Sequence, residues 1–140
     1  MSLAVPRVCR RGFTLIEVMI VLVVLSILSA IAYPSYSAQI VKSRRSDAKQ
    51  ALVELAQRLE RYYSERGTYV GATLGAAGIY GTTSAGGYYT LSIATQTVSG
   101  FTCTATPTGL QADDGCGSFG YDQAGNKVVS GGSLTASNCW

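Results

Sequence analysis

The chain has no histidine, and only 14% of its residues are charged. Without imidazole there is no Ser-His-Asp arrangement, no His-based general acid–base chemistry and no His-ligated metal site. Proline is scarce, at three residues, and tryptophan occurs once. Charge is also unevenly placed: after Arg66 the one basic side chain is Lys127. The C-terminal half therefore lacks the clustered Lys and Arg that bind phosphates, and no nucleic-acid partner is expected. Asp113, Asp114 and Asp122 lack the alternating oxygen ligands and closing Glu of an EF-hand. They read as solvated turns, so no metal or cofactor is expected, and the chain does not read as an enzyme.

What the sequence does have is a long apolar run near its start. From Phe13 to Ala32 the only charged residue is Glu17. A helix rises about 1.5 Å per residue, so this run spans about 30 Å, the thickness of a bilayer core. A lone carboxylate there costs roughly 2.5–3.5 kcal/mol on insertion scales, which suggests a use for the charge. The preceding segment carries Arg7, Arg10 and Arg11 and no acid. Basic residues beside an apolar span stay cytoplasmic, so the remainder should be exported. A secretory signal peptide would instead be cut after the apolar run, near Ser29–Ala32. The run continues without a break into a helical pattern, which favours its retention.

The charge balance follows from the same segment. The chain holds 11 basic and 8 acidic side chains. Losing the three arginines of residues 1–12 leaves eight against eight, so the apparent basicity belongs to targeting.

Beyond Pro34, which should kink the helix, Ala48, Leu52, Leu55, Leu59 and Tyr62 recur at spacings of four and three. That is one apolar helix stripe. Lys42, Arg44, Arg45, Asp47 and Lys49 lie off it and read as a solvated face or a contact to lipid headgroups. Gly67 is a plausible stop. The Gly-, Ala- and Thr-rich stretch 67–87 reads as an irregular connection anchored by Tyr69, Leu74, Ile79 and Tyr80. Strands follow: Tyr88–Ile93, Gly100–Pro107, Ser118–Asp122 and Lys127–Val129, the last two joined by a turn at Gln123–Asn126. The expected organisation is residues 1–12 as leader, 13–36 as membrane helix, 37–66 as amphipathic helix, 67–87 as connection and 88–140 as antiparallel sheet. Cys103, Cys116 and Cys139 fall in the exported part, where disulfides persist. Three is odd, so one is free or paired between chains.

Arg11-Gly12-Phe13-Thr14-Leu15-Ile16-Glu17, after a short basic leader, resembles the class III signal of type IV prepilins and type II secretion pseudopilins. The resemblance implies cleavage between Gly12 and Phe13 by a prepilin peptidase, which would also methylate the new amine of Phe13. It implies that Glu17 is buried in the assembled filament near the N-terminus of a neighbouring subunit. A charge unsatisfied alone and satisfied by a neighbour favours assembly in one register.

A second, narrower resemblance lies downstream. Ala105-Thr106-Pro107, Gln111, Asp113, Cys116-Gly117, Asp122 to Lys127 and the ending Cys139-Trp140 are similar to minor pilins of the PilE type. Cys103 and the Gly/Ser-rich segment before the ending depart from that pattern. The resemblance implies an α+β type IV pilin fold, with a long N-terminal helix packed on a small antiparallel sheet. It also implies a C-terminal loop closed by Cys116–Cys139. Cys103, facing the same way as Phe101, then reads as a small buried hydrophobe, and Trp140 as packed beside the disulfide.

The expected function is that of a minor pilin that primes assembly, enters the fibre and supports twitching motility and surface attachment. The implied partners are the prepilin peptidase/N-methyltransferase, major and minor pilins, the inner-membrane assembly machinery and membrane lipid before assembly. The implied location is the bacterial inner membrane, single-pass with the N-terminus cytoplasmic and the head periplasmic, and then the fibre at the cell surface. A major pilin, a secretion pseudopilin and a non-polymerising membrane-anchored periplasmic binding module are the alternatives.

Overall fold

A computed structural model describes residues 12–140; most of the leader, including Arg10, Arg11 and Cys9, lies outside the described residues. Helix α1 runs from Leu15 to Arg66. Thr14 opens it: its Oγ1 accepts the Glu17 N–H at 3.3 Å, which satisfies one of the donors a helix start leaves free. Gly67 closes it at φ +70°, with its N–H donated to the Tyr63 carbonyl. Only glycine takes that left-handed conformation without a Cβ penalty.

The contacts of the chain divide at Ala38/Gln39. In the part up to Ala38, the described apolar side chains from Phe13 to Tyr36 are exposed. This part of α1 is apolar all round and, by length and composition, able to cross a membrane.

The part from Gln39 onward is a helix-on-sheet head. Strands β1 (Tyr89–Gln96), β2 (Phe101–Pro107), β3 (Ser118–Asp122) and β4 (Lys127–Ser130) form an antiparallel meander in that order. Alternation splits the sheet into two faces. Tyr89, Leu91, Phe101, Cys103, Ala105 and Phe119 are buried in one core with the α1 stripe. The opposite face carries Ser92 and Thr104, whose hydroxyls meet at 2.6 Å, with Gly120 and the exposed Val128 beyond them. Ala48, Leu52, Leu55 and Leu59 are fully buried, with Ala51 and Ala56 beside them. The stripe thus mixes small and large side chains.

The connection between helix and sheet is held by tyrosines. Tyr69 and Tyr80 donate to the carboxylates of Glu60 and Glu54, at 2.9 and 2.6 Å. Burial pushes both phenols up to about 12, and the carboxylates add to the shift. Tyr69 also stacks on Tyr63 and meets Phe101 edge-on. Strand β1 runs three residues past the Ile93 expected from alternation. A register shift between Ile93 and Thr95 interrupts the alternation while pairing continues.

The disulfide Cys116–Cys139 closes the C-terminal loop across a Cα–Cα distance of 5.8 Å. Short helix α2 (Ala136–Cys139) delivers Cys139 and then Trp140. Trp140 packs edge-on to Phe119 and donates its indole N–H to the Val128 carbonyl, so it covers the β4 edge. Cys103 is buried in the core with a free thiol.

Leu55→Ala is expected to destabilise the head by about 3 kcal/mol, measured by urea denaturation of the full chain in detergent. Burial pushes the Cys103 thiol up to about 12. Iodoacetamide should therefore label Cys103 only after unfolding, and labelling of the native protein would contradict the packing.

Candidate functional site

Three groups of side chains carry chemistry. The first is the start of α1. Gly12, Phe13 and Glu17 are exposed, and Phe13 is 83% accessible. Glu17 lies in the first turn of α1, where the helix dipole favours a negative charge. It stands on an apolar surface that nothing in its own part of the chain covers.

The second group ties α1 to the disulfide loop. Arg45 was expected on a solvated face and Asp114 in a solvated turn; the structure corrects both. Arg45 Nε and Nη2 grip the Asp114 carboxylate in a fork, with Nη2–Oδ1 at 2.6 Å and Nε–Oδ2 at 2.9 Å. The Asp114 side chain is 1% exposed and that of Arg45 15%. Gln111, itself buried, donates Nε2 to Asp114 Oδ2 at 2.9 Å and to the Val41 carbonyl at 3.2 Å. The Cys116 N–H completes the set on Oδ1 at 3.3 Å. Burial alone would push the Asp114 carboxyl up. The guanidinium and the N–H donors outweigh it and hold the group below its ordinary value of 3.8.

No sequence periodicity joins Arg45 to Asp114, which stand 69 positions apart. The available signal was a carboxylate two residues before a half-cystine, in a stretch short of other charges. Of the other two acids expected in turns, Asp113 is exposed in one, and Asp122 ends β3 and opens the turn that follows. Its Oδ1 accepts the N–H groups of Ala124 and Asn126, both at 2.9 Å, which fixes the β3–β4 hairpin.

The third group is a cationic flank. Lys42, Arg45 and Lys49 recur at i, i+3 and i+7 on one side of α1. The sheet register pairs Ile93 with Cys103, Cys103 with Tyr121, and Tyr121 with Lys127. Directly paired residues share a face, so Lys127 points to the helix side at the sheet edge. Its Nζ stands 5.3 Å from the centre of the Trp140 ring. Partial burial lowers the Lys49 pKa, and the charges of Arg45, Lys127 and Lys42 lower it further.

The buried pair gives the protein an acid sensitivity of known sign. Asp114 is depressed in the folded state, so its contribution is whole above the ordinary carboxylate value. That contribution is lost as pH falls through the folded pKa, below 3.8. Asp114→Asn should cost about 3 kcal/mol at neutral pH, because it leaves Arg45 without its counter-charge. The gap between wild type and variant in urea denaturation should shrink as pH is taken below 3.8. A gap independent of pH would contradict this assignment.

The family described as "Type IV minor pilin ComP, DNA uptake sequence receptor" matches residues 34–120. The prokaryotic N-terminal methylation motif matches residues 7–33. The fimbrial protein EcpC of Eikenella corrodens is 36% identical over 73 residues, which are 52% of this chain and 47% of that protein. The match thus spans about half the length of that relative. Among solved structures, the non-core minor pilin PilV of Neisseria meningitidis superposes with a TM-score of 0.57 at 20% identity. That match covers 70% of this chain and 94% of PilV. A type IV pilin from Shewanella oneidensis is 33% identical with a TM-score of 0.49, covering 71% of this chain and 97% of that one. The PilV likeness shows the fold, a long helix on a four-stranded antiparallel sheet with a disulfide-closed C-terminal loop. The ComP family match extends over more than half of the chain, through the helix stripe, the Arg45–Asp114 pair and most of the sheet. The chain belongs to the ComP family of type IV minor pilins.

Proposed function

We propose that this minor pilin is inserted with its N-terminus in the cytoplasm and its head in the periplasm. The prepilin peptidase then cuts it between Gly12 and Phe13 and methylates Phe13. It enters the pilus with other pilins, helps to prime assembly, and supports twitching motility and surface attachment indirectly. Its work is association. The observation that carries this reading is Glu17, the lone charge from Phe13 to Ala32, on an apolar helix surface that its own part of the chain leaves open. A monomer has no evident use for that charge. In a bundle of such helices the new α-amine of a neighbour supplies a counter-charge, and one register satisfies both groups.

A major pilin would dominate sheared fibres. A secretion pseudopilin would be required for protein secretion and dispensable for motility. A non-polymerising anchored module would have no need of Glu17.

A second reading comes from the family description, which names a DNA uptake sequence receptor. Under this reading the head also binds DNA. Sequence order argued against it, because Lys127 is alone after Arg66. The fold weakens that objection, since Lys127 turns toward the helix that carries Lys42 and Lys49. Retention of labelled duplex DNA by the full chain tests this reading, and no retention at low salt would remove it.

Glu17→Ala should leave membrane insertion and cleavage intact and reduce incorporation into sheared fibres at least tenfold. Immunoblots of membrane and fibre fractions measure this. Normal incorporation of the variant would sink the register argument.

A further inference from the structure

Among the large apolar side chains described in the head, Leu110 is the most open to solvent, at 80%. It stands on the short 3-10 turn Gly109–Gln111 that follows β2. That turn is tied down on three sides. The Thr108 N–H donates to the Tyr88 carbonyl at 2.9 Å, and Gln111 Nε2 donates to the Val41 carbonyl at 3.2 Å. Just beyond, Asp114 is gripped by Arg45. A turn fixed this way keeps its leucine outside the core. It also offers that side chain to a partner at little further cost in conformational freedom.

The surroundings of Leu110 are those of a polar–apolar boundary. The Arg44 guanidinium lies 4.6 Å from the centre of the Tyr88 ring, whose carbonyl holds the turn. Lys42, next to Val41 in the chain, is exposed. Val41 is itself five residues beyond Tyr36. Even a fully extended chain puts at most about 18 Å between those two residues. Tyr33 and Tyr36 are exposed at the end of the apolar run, and tyrosine is the residue type that settles at the surface of a bilayer.

We propose that the Leu110 turn is a second membrane contact of this chain. Before the subunit enters a fibre, Leu110 inserts into the surface of the bilayer that α1 crosses, and Lys42 and Arg44 donate to lipid phosphates. This rests on the reading above that the chain is inserted in a membrane, and it adds a contact made by the head. The occupant is a lipid surface because the chain brings one within reach of Val41, the residue that holds the turn. The side chains suit that place. Lys and Arg lay their stems along apolar surface and keep their charge among headgroups, and the Tyr88 ring sits at the same level. Asp113 is exposed on the same turn, so the charges there are mixed and the apolar side chain carries the contact. The contact holds the head on the bilayer and has to break when the subunit is drawn into a fibre.

The test attaches the fluorophore bimane to single cysteines of the full chain in nanodiscs of phosphatidylethanolamine and phosphatidylglycerol, one chain per disc, with spin-labelled lipid as quencher. Cys9→Ser removes the leader thiol, and Cys103 is buried. Ala112→Cys reports on the turn. Val98→Cys reports on an exposed site at the opposite end of β2. Ile27→Cys reports on the helix. Lipid should quench the label at Ala112→Cys about threefold more than that at Val98→Cys, as expected for a group within reach of the headgroup and acyl boundary. Adding Leu110→Ser should bring it down to the Val98 level, and Lys42→Gln should weaken it in part. Unchanged thermal melting establishes that each variant is folded. Equal quenching at positions 112 and 98, in a chain whose label at position 27 is quenched, would overturn the contact and leave insertion standing. An unquenched label at position 27 would overturn both. Quenching that survives Leu110→Ser would contradict the role given to the leucine. Protection of the turn seen only with two chains per disc would make the occupant a second copy, and the proposal would fail.

Discussion

The head is built around one stripe of α1. Ala48, Leu52, Leu55 and Leu59 are fully buried, and they are the surface on which the core face of the sheet is covered. A four-stranded sheet has two faces, and here the outer one carries Ser92 and Thr104, which can face water. The inner one, with Tyr89, Leu91, Phe101 and Phe119, has to be hidden. If the stripe is lost, the sheet has no apolar partner. The Arg45–Asp114 fork and the Gln111 bond to Val41 add direction to that contact, since apolar burial alone would tolerate some sliding. They fix the disulfide loop against the start of the amphipathic half of the helix.

The same helix serves two environments. Up to Ala38 its described surface is largely apolar, with Glu17 the one charge; from Gln39 onward it is amphipathic. One continuous element therefore carries both the membrane-competent segment and the foundation of the head.

Much of this was legible in the sequence, for local reasons. The spacing of Ala48, Leu52, Leu55 and Leu59 is the 3.6-residue period of a helix face. Tyr89, Leu91, Phe101, Cys103 and Phe119 follow the two-residue period of a strand. The disulfide followed from the likeness of Cys116-Gly117 and Cys139-Trp140 to a known ending, and not from spacing. What stayed hidden was long-range. Asp114 reads as one more polar residue in a Gly-rich turn, and nothing near it announces a guanidinium 69 positions earlier. Lys127 reads as isolated for the same reason. Only the pairing of four strands brings it round to the helix side. Alternation marks β1 only as far as Ile93 because it breaks at the register shift, while the backbone pairing runs on to Gln96.

The central claim is that this chain becomes a processed subunit of a fibre. Intact mass of the protein from sheared surface fibres, compared with that from membranes, addresses it directly. The account predicts a chain that begins at a singly methylated Phe13, lies two hydrogens below its reduced mass for the Cys116–Cys139 bond, and is present in fibres at low abundance. A chain that retains residues 1–12, or one cut near Ala32 and missing from the fibres, would contradict it.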